Sequence, residues 1–240
     1  MNPLNSERVI DNKSNSYFIR RMLATLGWLI IGLMLGIADV YADIIPIHYG
    51  DSIQGSISTA EEEDTYSFVG QAGDEITLYF DNTTGSSFSA RLVLRRPDGT
   101  VLKQTSYSSL DQEIGGLVLP VGGTYTVLVD GDGGDTGNYI LYLSKLPPPI
   151  PISYGDSRSG TINLPGEEVA YSFSGQAETK ATIYLETPGN LESMRLVLRG
   201  PDGSTLGATS YTSLNIEWKD QLLPVDGVYV ILVDGHGLGC

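Results

Sequence analysis

The sequence predicts an all-β protein: two tandem antiparallel β-sandwich domains of jelly-roll-like form behind an N-terminal signal helix. Three observations predict it. Glycine and proline are frequent, 29 and 12 of 240 residues, as many short strands joined by tight turns require. Apolar and polar residues alternate in short runs, the period of a strand with one buried face. The chain also repeats itself: PIHYGDSIQGSISTAEEEDTYSFVGQA from Pro46 returns as PISYGDSRSGTINLPGEEVAYSFSGQA from Pro151.

Residues 1–42 read as a signal peptide. Arg20 and Arg21 precede an uncharged run from Met22 to Ile37, and Val40 and Ala42 supply the small residues before a cut. The run is shorter than the ~20 residues of a spanning helix, so cleavage is expected. An uncleaved anchor is the alternative, and membrane contact is expected through this segment alone. Export follows, to the cell surface or beyond it, with the periplasm as a further location. The formal net charge of -15 repels phosphate backbones and excludes nucleic acid as a partner. Cys240, the sole cysteine, has no partner for an intrachain disulfide, so packing must supply the stability.

The first sandwich unit spans 43–145. In DTYSFVG, Tyr66 and Phe68 share a face; in EITLYF, Ile76, Leu78 and Phe80 do; in TYTVLVD, Tyr125, Val127 and Val129 do. Thr65, Ser67, Thr77 and Thr126 take the opposite, polar face. RPDG makes a hairpin between Arg91–Arg96 and Thr100–Thr105, because Pro97 presets φ, Asp98 bonds locally and Gly99 takes positive φ. RGPDG repeats it at Pro201–Gly203. The alternation of TGNYILYLS, Thr136 to Ser144, marks the unit's last strand, giving about eight strands per unit.

Residues 146–151 form a proline-rich linker, a semi-rigid spacer expected to hold the units apart as beads. The second unit, 152–240, repeats the first through RLVLRGPDGS, TSYTSL and LPVDGVYVILVDGHG, but nothing in it answers to TGNYILYLS. A sandwich without that strand exposes unpaired backbone and an apolar cleft. Either the chain is a fragment of a longer repeat protein, or the gap is filled by strand exchange with another chain.

YGDSIQGSI, EEEDTYSFVGQAGDEITLYF, RLVLRRPDGT, LPVGGTYTVLVDG and TGNYILYL, in that order, resemble the bacterial pre-peptidase C-terminal domain, and the second copy resembles it too. The resemblance implies a β-sandwich appended to secreted hydrolases, especially peptidases, and related in form to calcium-dependent collagen-binding domains. It also implies that the module is not itself the catalyst. The usual neighbouring peptidase domain is missing from this sequence.

Candidate chemistry is sparse. Asp130, Asp132 and Asp135 lie along a glycine-rich turn and are candidate calcium ligands, calcium being the one cofactor the residues bring to mind. The repeat argues for an acidic turn instead, since LVDGDGGD becomes LVDGHGLG and only Asp130 persists, as Asp234. The run Glu61–Asp64 reads in the same way as a solvated loop. His48 and His236 stand in no recognisable catalytic motif, so an enzyme is not expected. Tyr107 and Tyr211, in TSYSSL and TSYTSL, are candidate binding aromatics for an extracellular protein or polysaccharide; packing within the sandwich is their commoner fate. The function expected is a secreted, non-catalytic module pair for binding, adhesion or spacing. A fragment or accessory subunit of a secreted hydrolase and a calcium-dependent matrix-binding module are the alternatives.

Overall fold

The computed structural model describes residues 44–187 and 193–236; the signal segment lies outside them. Every regular element described is a strand. The first repeat carries nine: β1 Ile45–Pro46, β2 Ser52–Ile57, β3 Glu63–Gly70, β4 Glu75–Asn82, β5 Ala90–Arg95, β6 Val101–Gln104, β7 Gln112–Val118, β8 Gly123–Gly131 and β9 Gly137–Lys145. They form a five-stranded sheet in the order β1-β3-β8-β5-β6 and a four-stranded sheet in the order β2-β9-β4-β7. Pairing is antiparallel except for the short edge strand β1, which runs parallel to β3.

Alternation decides which face is inside. Tyr66, Phe68, Tyr125, Val127 and Val129 from one sheet meet Ile76, Leu78, Phe80, Leu141 and Leu143 from the other in a single buried core. Phe68 stacks on Tyr125 at 5.5 Å and Phe80 on Tyr139 at 5.1 Å. Burying tyrosine requires a partner for each hydroxyl. Tyr139 donates to Asp64 at 2.5 Å and meets the Tyr66 hydroxyl at 2.8 Å, while Tyr125 donates to the Val121 carbonyl. RPDG forms the expected hairpin between β5 and β6, with Gly99 at φ 81°.

In the second repeat β10 Ile150–Pro151, β11 Glu168–Gly175, β13 Ser193–Arg199, β14 Thr205–Ala208 and β16 Gly227–His236 rebuild the five-stranded sheet in the order β10-β11-β16-β13-β14. Opposite it, among the described residues, stand β12 Thr179–Leu185 and β15 Ile216–Leu223. Seven strands are thus described here against nine in the first repeat, where about eight each were expected.

The bead-like separation expected of the linker is not what the structure shows. The outer face of the second repeat's large sheet packs on the outer face of β4 and β9. Ala170, Val197 and Leu232, which alternate with core residues, are buried there with the linker residue Leu146. Thr77 and Ser144 on the facing side are buried although they point away from their own core. Ser144 Oγ donates to the Gly166 carbonyl at 2.9 Å, and the Leu146 amide donates to the Glu75 carbonyl at 2.8 Å. Gly166 fits on two counts: its φ is 70°, and a Cβ there would come within 2.7 Å of Thr77 Cγ2. The matching turn in the first repeat holds Glu61 at φ 65°. The prolines therefore shape a short path between docked sandwiches rather than keep them apart.

Candidate functional site

The same polar clasp is built on the large sheet of each repeat. In the first, β5 and β8 pair Arg91 with Asp130 in register. Asp130 accepts from Arg91 Nε at 2.8 Å and from the Tyr107 hydroxyl at 2.5 Å, and the guanidinium lies 4.6 Å over the Tyr107 ring. In the second, Asp234 accepts from Arg195 Nε at 2.6 Å and from Tyr211 at 2.7 Å, with the guanidinium 4.5 Å over the ring. The hydrogen bond to Asp130 raises the Tyr107 pKa, whereas burial first and the Asp234 bond second raise that of Tyr211. Both candidate tyrosines are thus members of a clasp. Tyr107 is 37% exposed, on the sheet whose counterpart in the second repeat carries the contact between repeats.

The three acidic candidates separate in the same light. Asp130 belongs to the clasp. Asp135 accepts the Ser89 amide at 3.0 Å, and Asp132 anchors the turn through its backbone, bonding Ser89, Gly134 and Asp135. Among the described residues no group of three or more His, Cys, Asp or Glu is placed to hold a metal ion. Within the run Glu61–Asp64, Asp64 holds the buried Tyr139 hydroxyl and Glu62 accepts the Ser58 and Thr59 amides, as Glu167 does with Asn163 and Leu164. His48 is exposed, 3.3 Å from Asp51 through Nδ1.

Where the repeats meet, the structure assembles a charge cluster that the sequence did not announce. Arg199 on β13 grips Glu75 on β4 through two hydrogen bonds of 2.7 and 2.6 Å. Glu168 on β11 lies beside them. Burial first, then the nearby charges of Asp234 and Glu75, push its pKa up to about 7, with Arg199 opposing. Retention of Arg, Asp and Tyr at matching places in both copies is the signal that could have found the clasp, although by residue type the aspartate reads as part of a turn and the tyrosines as candidates for binding. Glu75 and Arg199 carry no such signal, because each acts in one copy only.

Two packed sandwiches whose polar side chains stabilise turns, clasps and the contact between repeats define a β-sandwich module. The stretch from residue 62 to 131, β3 through β8, matches the model of the bacterial pre-peptidase C-terminal domain, a family of non-catalytic modules. The resemblance read from the residues thereby stands for the first repeat. Comparison with curated proteins gives no match. Among solved structures, the chain is similar to the pre-peptidase C-terminal domain of a Bacillus anthracis collagenase, at 17% identity and a TM-score of 0.36, over 42% of this chain and 95% of that one. It is also similar to the periplasmic inhibitor of g-type lysozyme PliG from Aeromonas hydrophila, at 17% identity and a TM-score of 0.33, over 42% and 95%. The PBSX exported protein XepA is similar at 11% identity and a TM-score of 0.32, over 79% and 88%.

Proposed function

We propose that the chain is an exported, non-catalytic pair of sandwich modules that acts as a stiff binding or spacing element of an extracellular or periplasmic bacterial protein. The observation that supports this reading is the docking of the repeats, with Arg199 on Glu75 and Thr77 under Gly166, which makes one body of two sandwiches. Export rests on residues 1–42 and on the family matched by residues 62–131. The partner is an extracellular protein or polysaccharide meeting the outer face of the first large sheet around Tyr107, which stands 37% exposed on its clasp. Co-sedimentation of the chain without residues 1–42 with fibrillar collagen, cellulose and peptidoglycan tests it. Retention by at least one polymer, lost in Tyr107→Ala, is the expected result. Hydrolysis of casein or of the polymers by the purified chain overturns the non-catalytic reading. The family match also favours a second reading, an accessory module of a secreted hydrolase, for which stable co-purification with a catalytic chain is the discriminating result.

A further inference from the structure

Both large sheets carry the same like-charged pair on the outer face. Glu63 on β3 stands directly opposite Asp130 on β8, and Glu168 on β11 stands opposite Asp234 on β16. Like charges in such register repel. In the first repeat water relieves the repulsion, because Glu63 is exposed. In the second the pair lies at the contact between repeats. Glu168 is half-buried between Gly166, whose carbonyl accepts Ser144 Oγ, and Ala170, which is 1% exposed.

The charges that face Glu168 come from both repeats. Its own repeat supplies Asp234 on β16, held by Arg195 of β13, and Arg199 on β13; the first repeat supplies Glu75 on β4 and Glu113 on β7. β9 brings Ser144 to the contact, which carries no charge. Glu167, the adjoining residue, is turned to the Asn163 and Leu164 amides. Burial raises the phenols of Tyr79 and Tyr211 above their ordinary range, so both stay neutral wherever a carboxyl group titrates. Both guanidinium groups are already engaged, Arg195 by Asp234 and Arg199 by Glu75. The carboxyl group of Glu168 accepts no hydrogen bond among the described residues. Once ionised, it sets an unheld negative charge against Glu75 and Glu113 across the contact.

We propose that the contact between the repeats is a pH-sensitive latch, which holds while Glu168 is neutral and slackens when Glu168 ionises, letting the two sandwiches part about the linker at 146–151. In the docked pair burial, Asp234 and Glu75 push the Glu168 pKa up to about 7. Parted, Glu168 meets water as Glu63 does, and its pKa falls toward the ordinary 4.5. The docked state therefore holds the proton more tightly. Docking is strongest below about pH 4.5, weakens as pH rises, and is weakest above about pH 7. The docking constant falls by at most about 300-fold over that window, and by less as water screens the charge. The latch rests on the reading of a stiff, docked pair, whereas polymer binding around Tyr107 does not involve Glu168, so the two can fail separately.

Small-angle X-ray scattering of the chain without residues 1–42, between about pH 5.5 and 9, tests the latch, with circular dichroism to follow the sheets. The maximum dimension should grow by about 10 Å, one sheet-to-sheet spacing, as pH rises, while the β-sheet signal stays constant. Glu168→Gln, which is neutral at every pH, should keep the compact profile throughout. Glu63→Gln, the same change at the exposed counterpart, should leave the parent's pH response as it is. A profile of the parent that does not change with pH, or that changes equally in Glu168→Gln, overturns the proposal. Loss of the β-sheet signal along with the expansion also overturns it, since the repeats are then unfolding and not parting.

Discussion

The two repeats share a template and differ in closure. In the first, Tyr66, Phe68, Leu78 and Phe80 are at most 2% exposed; in the second, their counterparts Tyr171 and Phe173 are 9% and 6% exposed, and Ile183 and Leu185 are half-buried. The residues lining the core remain apolar, although Ile76 and Phe80 give way to the smaller Ala181 and Leu185. The larger difference is the strand β9, which has no counterpart among the described residues of the second repeat and which seals the first core with three enclosed side chains and ties β2 to β4. A sandwich core is thus completed by its last strand, and the apolar residues already present do not close it alone.

The most direct way to break the comparison is to weaken that strand. Leu141→Ala leaves the backbone ladder of β9 intact and removes a buried side chain between the sheets. The first repeat should lose about 2–5 kcal/mol, the range for truncating an enclosed leucine. Urea unfolding followed by amide exchange along β4 measures it, and the first repeat should then open as readily as the second. A loss under about 1 kcal/mol would mean that the strand's hydrogen bonds, and not its side chains, close the core.

A smaller effect is expected where the repeats touch. Glu168 ordinarily titrates near 4.5, and in the folded chain it is pushed to about 7 by burial and by Asp234 and Glu75, with Glu113 adding to the rise and Arg199 opposing it. The folded state therefore holds a proton that the unfolded state releases. Its contribution is fully present below about pH 4.5 and is lost as pH rises to about 7, amounting to as much as ~3 kcal/mol before screening by the water that reaches the carboxyl group. Glu168→Gln fixes the neutral form. Over that window the variant's stability should gain steadily on the parent's, as read from denaturant midpoints at several pH values; parallel profiles would remove Glu168 from the account.

Much of this architecture was legible because alternation and turn chemistry are local. Tyr66, Phe68, Ile76, Leu78 and Phe80 declared the core by period, and RPDG declared its hairpin by residue type. The docking of the repeats was not legible in the first one, where Thr77 reads as part of the polar face and is buried, together with Ser144, by another part of the chain. A trace of it exists in the second. Thr65 and Thr126, on the outer face of the first large sheet, become Ala170 and Val230, and this loss of polarity on an outer face is what a covered sheet requires. The clasp was not legible in the sequence: Asp130 persisting as Asp234 reads as part of an acidic turn, and its arginine lies about forty residues away along the chain, where sheet pairing brings the two together.

The finest difference between the repeats makes the smallest prediction. Gln112 is buried, and although its amide nitrogen donates to the Ala90 carbonyl at 2.5 Å, its Oε1 has no hydrogen-bond partner among the described residues. The second repeat has Ile216 in the same place, equally buried. The carbonyl that Gln112 serves does not depend on it, because Ala90 and Ser108 already exchange backbone hydrogen bonds, as Met194 and Thr212 do beside Ile216. Gln112→Ile therefore removes an unpaired buried oxygen and leaves the backbone satisfied, so stability should rise, by no more than about 1 kcal/mol. Thermal melting of the two proteins side by side measures it. A loss above about 1 kcal/mol would mean that the bond to Ala90 outweighs the stranded oxygen, and that the second repeat tolerates isoleucine for a reason of its own packing.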